Sequence, residues 1–368
     1  MSWRACALAV SVGLGLFHAV TAPALNWAFD VSPPVINTGD TPKFEVVFEY
    51  TSPVGTAHAP AIQMQPDGFA VFWFDGLRES HNEVIIKTAE FTRNDAGGWD
   101  AAPAKKLFNK EQLSAVTHPP QKILTLGNTI QQGTKGDTFL ATIVSVGGWA
   151  AASIAQVQMQ GDDPADVRKL SLSPFLNRSH LVRAPTVPYA DGSVAIPAYL
   201  ELGNALGDFV RVDDAGYVRD KRRMTHGRFA IQPMVVPFDA ENAVALMRNF
   251  DDDTDRLIAT WTADGGRHWS APELLDLPNP NAPVAAVSLG PQTLVMAYNE
   301  IPSILHLAVS KDQGRTWDMV HTLEQGGGGV RYPAMALLPD GDVLLTYSTG
   351  SKKSIKAVVF NAAWVVRP

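Results

Sequence analysis

The chain contains very little cysteine, few charged residues and no excess of basic residues. Its only cysteine, Cys6, lies near the start, so we expect the remainder of the 368-residue chain to contain neither thiol nor disulfide. Only 18% of residues are charged, as in chains whose strands are covered on both faces. A net charge of −7 offers no basic surface for phosphates, which argues against a nucleic-acid partner.

Sequence motifs for cofactors are also missing. The chain has no C-x-x-C, H-E-x-x-H, P-loop or dinucleotide-binding fingerprint, so we predict no metal, ATP or NAD cofactor. The acidic run 251–255 offers oxygen ligands for calcium but lacks the spacing of an EF-hand loop. A solvated connecting loop is therefore the favoured interpretation of this run.

The first residues have the pattern of an export signal. Arg4 precedes an apolar stretch, residues 5–20, that is short for a membrane span, and Ala22-Pro23-Ala24 fits a cleavage site. We predict a signal peptide at residues 1–24, a mature protein in the periplasm or the medium, and no membrane association after cleavage. An uncleaved amino-terminal anchor is the alternative.

Six repeats indicate the architecture. In each, a proline opens an apolar run that crosses a turn and returns as a second apolar run; the prolines are Pro60, Pro120, Pro185, Pro233, Pro283 and Pro333. Repeats of about 40 to 50 residues containing several strands are typical of β-propellers. We therefore predict an all-β protein in which residues 25–368 form a single six-bladed β-propeller of four-stranded antiparallel blades, with the two runs of each repeat as the inner strands.

A second repeated element lies between the predicted outer strands. It occupies residues 262–269 and 310–317, where an Asp, a Gly and a Trp recur at the same spacing. An Asp that accepts bonds from its own turn, a Gly that permits positive φ and a Trp that packs between sheets form a structural staple. We expect no catalytic role for this element.

Polar residues recur at one end of the predicted inner strands, just before each proline and fifteen or sixteen places after it. These positions meet at one rim of the central channel if the repeats form a ring. They are His58, Asp75, His118, Arg183, Glu201, Gln232, Arg248, Asn281, Asn299, Arg331 and Tyr332. The sequence thus predicts a polar pocket at this rim.

Several segments resemble the sialidase superfamily and its relatives with BNR repeats. Residues 310–317 match the S-x-D-x-G-x-T-W Asp box in full. Further similar segments are 71–79, 232–249, 277–287, 297–300 and 331–348. The resemblance implies a six-bladed propeller and an exo-acting glycosidase whose substrate is a glycan.

The resemblance also implies roles for individual residues. Sialic acid carries a carboxylate on its anomeric carbon, so sialidases use a tyrosine nucleophile, ionised by a glutamate, that avoids like-charge repulsion. By similarity Tyr332 is the nucleophile, and Glu201 is our candidate for its partner base. Arginines grip the substrate carboxylate by bidentate hydrogen bonds, and the candidates are Arg78, Arg183 and Arg248.

The first blade departs from the sialidase pattern. His58-Ala59-Pro60 stands where active sialidases have Arg-Ile-Pro. Candidates for the acid/base are Glu83, His81 and Asp75. Glu79, Gln232, Asn281, Asn299 and Arg331 complete the predicted substrate-binding set. The sugar can be sialic acid, another acidic sugar or a neutral one.

Two functions of other classes compete with hydrolysis. A non-catalytic carbohydrate-binding propeller would account for the missing first arginine, and a scaffold propeller would use its faces for protein contacts. A carboxylic acid within hydrogen-bond reach of Tyr332 favours the enzyme over the binding protein.

Overall fold

The apolar runs after the prolines form antiparallel hairpins. In the first repeat, β2 (Thr56–Gln65) turns and returns as β3 (Gly68–Gly76), and every residue of β3 is buried. Val, Phe and Trp fill β3 because neighbouring sheets cover both of its faces. The predicted inner strands are thereby confirmed in this repeat, and the same hairpin recurs around the molecule.

The hairpins belong to six sheets, which we call blades 1 to 6. Blade 1 contains β2, β3, β4 (Ile85–Arg93), β5 (Trp99–Ala101) and β6 (Lys105–Asn109). Blade 2 contains β7 (Thr117–His118), β8 (Thr125–Gln131), β9 (Thr138–Val144), β10 (Ser153–Gln160) and β11 (Asp163–Lys169). Blade 3 contains β12 (His180–Val182), β13 (Val187–Pro188), β14 (Val194–Leu200), β15 (Leu206–Val212) and β16 (Val218–Arg223).

The other three blades have four strands each. Blade 4 contains β17 (Ala230–Pro237), β18 (Asn242–Asn249), β19 (Arg256–Ala263) and β20 (Glu273–Pro278). Blade 5 contains β21 (Ala285–Ser288), β22 (Leu294–Ile301), β23 (Ile304–Ser310) and β24 (Asp318–Gln325). Blade 6 contains β25 (Arg331–Leu337), β26 (Val343–Thr349), β27 (Ser354–Phe360) and β1 (Phe44–Thr51).

The blades close into a ring. The innermost strands contact one another in blade order, and β25 of blade 6 contacts β2 of blade 1. The outermost strand of blade 6 is β1, which pairs antiparallel with β27 and so joins the two ends of the chain in one sheet. The predicted six-bladed propeller is confirmed, whereas the closing strand had no counterpart in the repeat analysis.

Extra elements account for the longer spacing of the early repeats. Helix α1 (Lys110–Ala115), capped by the Asn109 side chain, lies between β6 and β7 on the outside of blades 1 and 2. Blade 2 also carries a 3₁₀ turn (Gly148–Ala151). A second helix, α2 (Ala362–Val366), follows the last strand and lies outside the early repeats. None of these elements lies among the innermost strands, so the central ring keeps its six-fold regularity.

The Asp-box turns have the predicted geometry. Asp312 accepts hydrogen bonds from the backbone amides of Arg315 and Thr316, and the Trp317 indole donates to the Gly314 carbonyl. Both boxes lie between the third and fourth strands of their blades, where Trp317 packs against the core shared by blades 4 and 5. Their role in the described structure is to join the outer strands.

The computed structural model describes residues 24–31, 38–133, 136–172, 177, 179–225, 229–251 and 253–366, together with residues 3, 10, 12 and 13. Almost all of the predicted signal segment 1–24, including Arg4 and Cys6, lies outside the described residues, as does Asp252 of the acidic run. Within the described part of the chain, no helix combines the length and apolar character needed to cross a bilayer. Nor do the described His, Cys, Asp and Glu residues form any group of three or more that could hold a metal ion.

Candidate functional site

Three innermost strands begin with the same irregularity. The residue directly before the proline has positive φ in blades 1, 4 and 6: Ala59 (51°), Gln232 (51°) and Tyr332 (58°). The strand register shifts at each of these positions, as in a β-bulge. A left-handed conformation in a residue other than glycine costs about 1–3 kcal/mol and recurs at functional sites. Here it turns the Gln232 and Tyr332 side chains toward one cavity.

That cavity, which we call the rim cavity, has a volume of about 270 Å³. Its walls come from blades 1, 2, 3, 4 and 6 and are lined by Phe74, Glu79, Ser80, Leu126, Gly127, Asn128, Trp149, Leu181, Tyr199, Glu201, Gln232 and Tyr332. The structure therefore brings together four residues that the sequence placed at the site: Glu79, Glu201, Gln232 and Tyr332.

The Tyr332 hydroxyl is held by an amide and a guanidinium. Gln232 Nε2 lies 3.5 Å and Arg248 Nη1 3.3 Å from the hydroxyl oxygen, and Arg248 Nη1 also donates to Gln232 Oε1 at 3.0 Å. Arg248 is fixed in turn because its Nε donates to Asn281 Oδ1 at 2.6 Å. Among the described residues, no carboxylate, that of the predicted partner base Glu201 included, hydrogen-bonds the Tyr332 hydroxyl.

His58 supports the Tyr332 ring from below. The two ring centroids are 4.3 Å apart, and the imidazole Nδ1 bonds Ser348 Oγ at 2.9 Å. Burial holds the pKa of His58 well below its usual value, and the nearby positive charges of Lys352 and Arg183 act in the same direction. The imidazole is thus neutral, and it packs behind the nucleophile candidate without lining the cavity.

Two carboxylates line the rim cavity. Burial raises the pKa of Glu201, and Glu79 adds to this effect while Arg248 opposes it. Glu79 forms an ion pair with Lys352 on the turn between β26 and β27. Burial therefore shifts the pKa of Glu201 in the direction that a general acid requires, and the carboxylate of Glu79 is occupied by its ion pair.

Asp75 faces away from the cavity. It follows Phe74, which lines the cavity, so strand alternation directs Asp75 to the opposite face of β3. There its carboxylate accepts a 2.8 Å hydrogen bond from the Tyr50 hydroxyl, which itself accepts one from Lys87 Nζ. Since Tyr50 lies on β1, this contact ties blade 1 to the closing strand of blade 6.

The remaining predicted site residues do not line the rim cavity. The predicted position of His118 at the rim is wrong, because His118 is exposed on β7, the outermost strand of blade 2. Arg78 and Glu83 are exposed on the loop after β3, and Arg331 is half-buried. Asn299 is buried, and its amide donates to the backbone carbonyls of Ile304 (2.9 Å) and Val330 (2.8 Å), which links blades 5 and 6. His81 lies 3.9 Å from the Glu83 carboxylate on the same loop.

Arg183 lies in the channel beneath the rim. Its guanidinium donates to the backbone carbonyls of Pro60 (3.2 Å), Tyr332 (2.8 Å) and Pro333 (2.8 Å) across the ring. It lines a second, mainly apolar cavity of about 380 Å³ that is formed by inner strands and does not line the rim cavity. Burial lowers the pKa of Arg183 to about 10, so the side chain stays charged at neutral pH.

A family model supports the assignment made from the repeats. The model described as BNR repeat-like domain matches residues 67–345, which is most of the chain. The chain belongs to the BNR repeat-like domain family. None of the curated proteins matches its sequence.

Solved structures with the same fold as this BNR repeat-like protein include sialidases. The Hadza microbial sialidase Hz136 is 13% identical with a TM-score of 0.63, and the match covers 84% of this chain and 66% of that one. The NanB sialidase from Streptococcus pneumoniae is 9% identical with a TM-score of 0.62, covering 88% and 71%. A protein of unknown function from Dyadobacter fermentans is 13% identical with a TM-score of 0.62, covering 86% and 99%. At these identities the likeness establishes a sialidase-like fold.

Sequence reasoning missed several lining residues of this BNR repeat-like protein. Tyr199 lies near the end of β14, two positions before Glu201, which directly follows the strand, so alternation could have placed both on one face. Its buried hydroxyl receives hydrogen bonds from Gln232 Nε2 (3.2 Å) and Asn128 Nδ2 (3.4 Å). Trp149 comes from the 3₁₀ turn in blade 2, which no repeat pattern indicates.

The contacts of Arg183 predict a structural effect. Replacing Arg183 with methionine removes the donors of three backbone carbonyls, and we expect the free energy of unfolding to fall by about 2–4 kcal/mol. Urea unfolding measures this loss, with Arg78→Met on the exposed loop as the matched control. An unchanged unfolding midpoint in Arg183→Met would show that the guanidinium does not brace the channel.

Proposed function

We propose that this protein is an exo-acting glycoside hydrolase that removes a terminal sugar bound in the rim cavity, with Tyr332 as nucleophile. The observation that carries the proposal is the position of the Tyr332 hydroxyl, which lies in a walled cavity between Gln232 and Arg248, together with an acidic group, Glu201. At about 270 Å³ the cavity lies just below the usual range for ligand sites, about 300–1,000 Å³, so it suits the end of a glycan better than its middle.

The chemistry follows from the neighbours of Tyr332. Tyr332 attacks the anomeric carbon as a phenolate whose proton has passed to solvent water, and the Arg248 guanidinium stabilises this anionic oxygen before the attack. Protonated Glu201 gives its proton to the leaving oxygen as the glycosidic bond breaks, and its carboxylate then takes a proton from the water that releases the sugar from Tyr332. Two displacements at one carbon retain the anomeric configuration. Tyr332, Arg248 and Glu201 are the catalytic groups of the proposal. We also propose that the protein is exported to the periplasm or the medium.

Hydrolysis of a panel of fluorogenic glycosides tests the proposal. The panel includes sialosides, uronides and neutral glycosides in both anomeric forms. The proposal expects turnover of at least one class, with a product whose anomeric configuration by NMR is that of the substrate. Absence of turnover across the panel, with a folded protein, contradicts it.

A non-catalytic carbohydrate-binding propeller is the second candidate. It is favoured by Gln232, because the amide that contacts the Tyr332 hydroxyl cannot take its proton. Such a protein would bind glycans in the rim cavity without turning them over. Glycan binding without hydrolysis would therefore select this candidate over the enzyme.

The raised pKa of Glu201 predicts the pH dependence of activity. A general acid works while it is protonated, so kcat/KM should fall as pH rises through this pKa, above the usual range for glutamate. We expect Glu201→Gln to lower kcat/KM by about 10²–10⁴-fold and to remove this alkaline limb. Glu273→Gln, at the exposed start of β20, should leave the profile unchanged. An alkaline limb that survives in Glu201→Gln contradicts the role of Glu201.

A further inference from the structure

We propose that the rim cavity accepts a terminal sugar that carries no negative charge, in contrast to the acidic sugar of sialidase substrates. The inference relies on the proposed function only for the location of the sugar site. It concerns which sugar enters, so it also applies if the protein binds glycans without cleaving them.

The titratable groups that line the cavity are acidic, apart from its two tyrosines. Among the described residues, Glu79 and Glu201 line the cavity, whereas no described Lys, Arg or His does. Carboxyl groups form hydrogen bonds with sugar hydroxyl groups, and neither their ionised nor their protonated form supplies the positive charge that would hold a substrate carboxylate. The wall is therefore complementary to hydroxyl groups and unfavourable to an anion.

Three cations near the cavity are already engaged, and the neighbouring Arg78 and Arg331 do not line it. Arg183 donates to three backbone carbonyls in the channel, and Lys352 is paired with Glu79. Arg248 uses Nε and Nη1 to hold Asn281, Gln232 and Tyr332. To bind a substrate carboxylate with two hydrogen bonds, a guanidinium needs two free N–H donors on adjacent nitrogens. In Arg248 these contacts already engage Nε and Nη1.

The rest of the wall suits an uncharged ring. Trp149 lines the cavity and is 37% exposed, so its indole supplies an apolar surface for the C–H groups of a pyranose. Asn128 and Ser80 add an amide and a hydroxyl that can bond sugar hydroxyl groups. An aromatic platform with a few neutral polar groups is the usual composition of a small-molecule site.

Matched sugar pairs test the inference, since they differ only in the carboxylate. Binding of methyl glucoside against methyl glucuronide, and of methyl galactoside against methyl galacturonide, is measured by calorimetry on the whole protein, together with an array of neutral and sialylated glycans. We expect the neutral member of a bound pair to bind at least about tenfold more tightly. Glu79→Gln should reduce this preference at least about threefold, whereas Glu273→Gln should preserve it.

The outcomes separate this inference from the proposed function. Preferential binding of the acidic members or of sialylated glycans overturns the inference, while hydrolysis of those glycans would still support the enzyme. Preference for neutral glycans without any turnover supports the inference and refutes the enzyme. Failure to bind any glycan overturns both.

Discussion

Replacing Tyr332 with phenylalanine is expected to lower turnover of the preferred glycoside by about 10³-fold or more, because the variant lacks the attacking oxygen. The ring still packs on His58, so only the hydroxyl contacts with Gln232 and Arg248 are lost. We expect the free energy of unfolding to change by about 1 kcal/mol, which leaves the protein folded. The measurement is kcat on the glycoside identified by the panel.

A matched control separates the loss of the nucleophile from the loss of a hydroxyl group. Tyr217 is 62% exposed on the turn before β16 and does not line the rim cavity, so Tyr217→Phe should retain full activity. Undiminished turnover in Tyr332→Phe would remove Tyr332 from the mechanism. In that case the two carboxylates of the cavity would become the catalytic candidates.

Replacing Gln232 with glutamate is expected to raise kcat by about 10²-fold or more. Gln232 Nε2 lies 3.5 Å from the Tyr332 hydroxyl oxygen, and a carboxylate oxygen at this position can accept the phenol proton, which an amide cannot. Arg248 Nη1 already contacts Gln232 Oε1 at 3.0 Å and would keep the new carboxylate ionised. The variant therefore supplies a carboxylate base for the phenol proton, which is missing among the side chains that contact the Tyr332 hydroxyl.

The same charge change elsewhere serves as the control for this variant. Gln325→Glu, at the exposed end of β24, should leave turnover unchanged. If Gln232→Glu folds and shows no gain, ionisation of Tyr332 does not limit the rate, and another group or step must do so.

The repeat pattern predicted the ring of blades and the rim of the channel at which the site lies, because polar residues recur at the same end of the hairpins. Gln232, Arg248 and Tyr332 are far apart in sequence and yet share hydrogen bonds at one rim. The pattern did not predict the face of each strand. Asp75 lies at the predicted end of β3, but alternation directs it toward Tyr50 of the closing strand.

Other parts of the site had no signal in the repeats. The 3₁₀ turn that carries Trp149 and the loop that carries Glu79 are insertions whose position depends on packing between blades. Engagement of Arg183 by three carbonyls also depends on the assembled ring, since its partners belong to blades 1 and 6. Sequence alone could place Arg183 at the channel but could not show that its N–H donors are occupied by backbone carbonyls.

Trapping the glycosyl intermediate tests the central claim most directly. A fluorinated, activated analogue of the preferred sugar slows release of the intermediate, and mass spectrometry of the digested protein then locates the attached sugar. Our account predicts a single adduct on the peptide that contains Tyr332. An adduct on the peptide of Glu79 or Glu201, or turnover of the natural glycoside with inversion and no adduct, would contradict it.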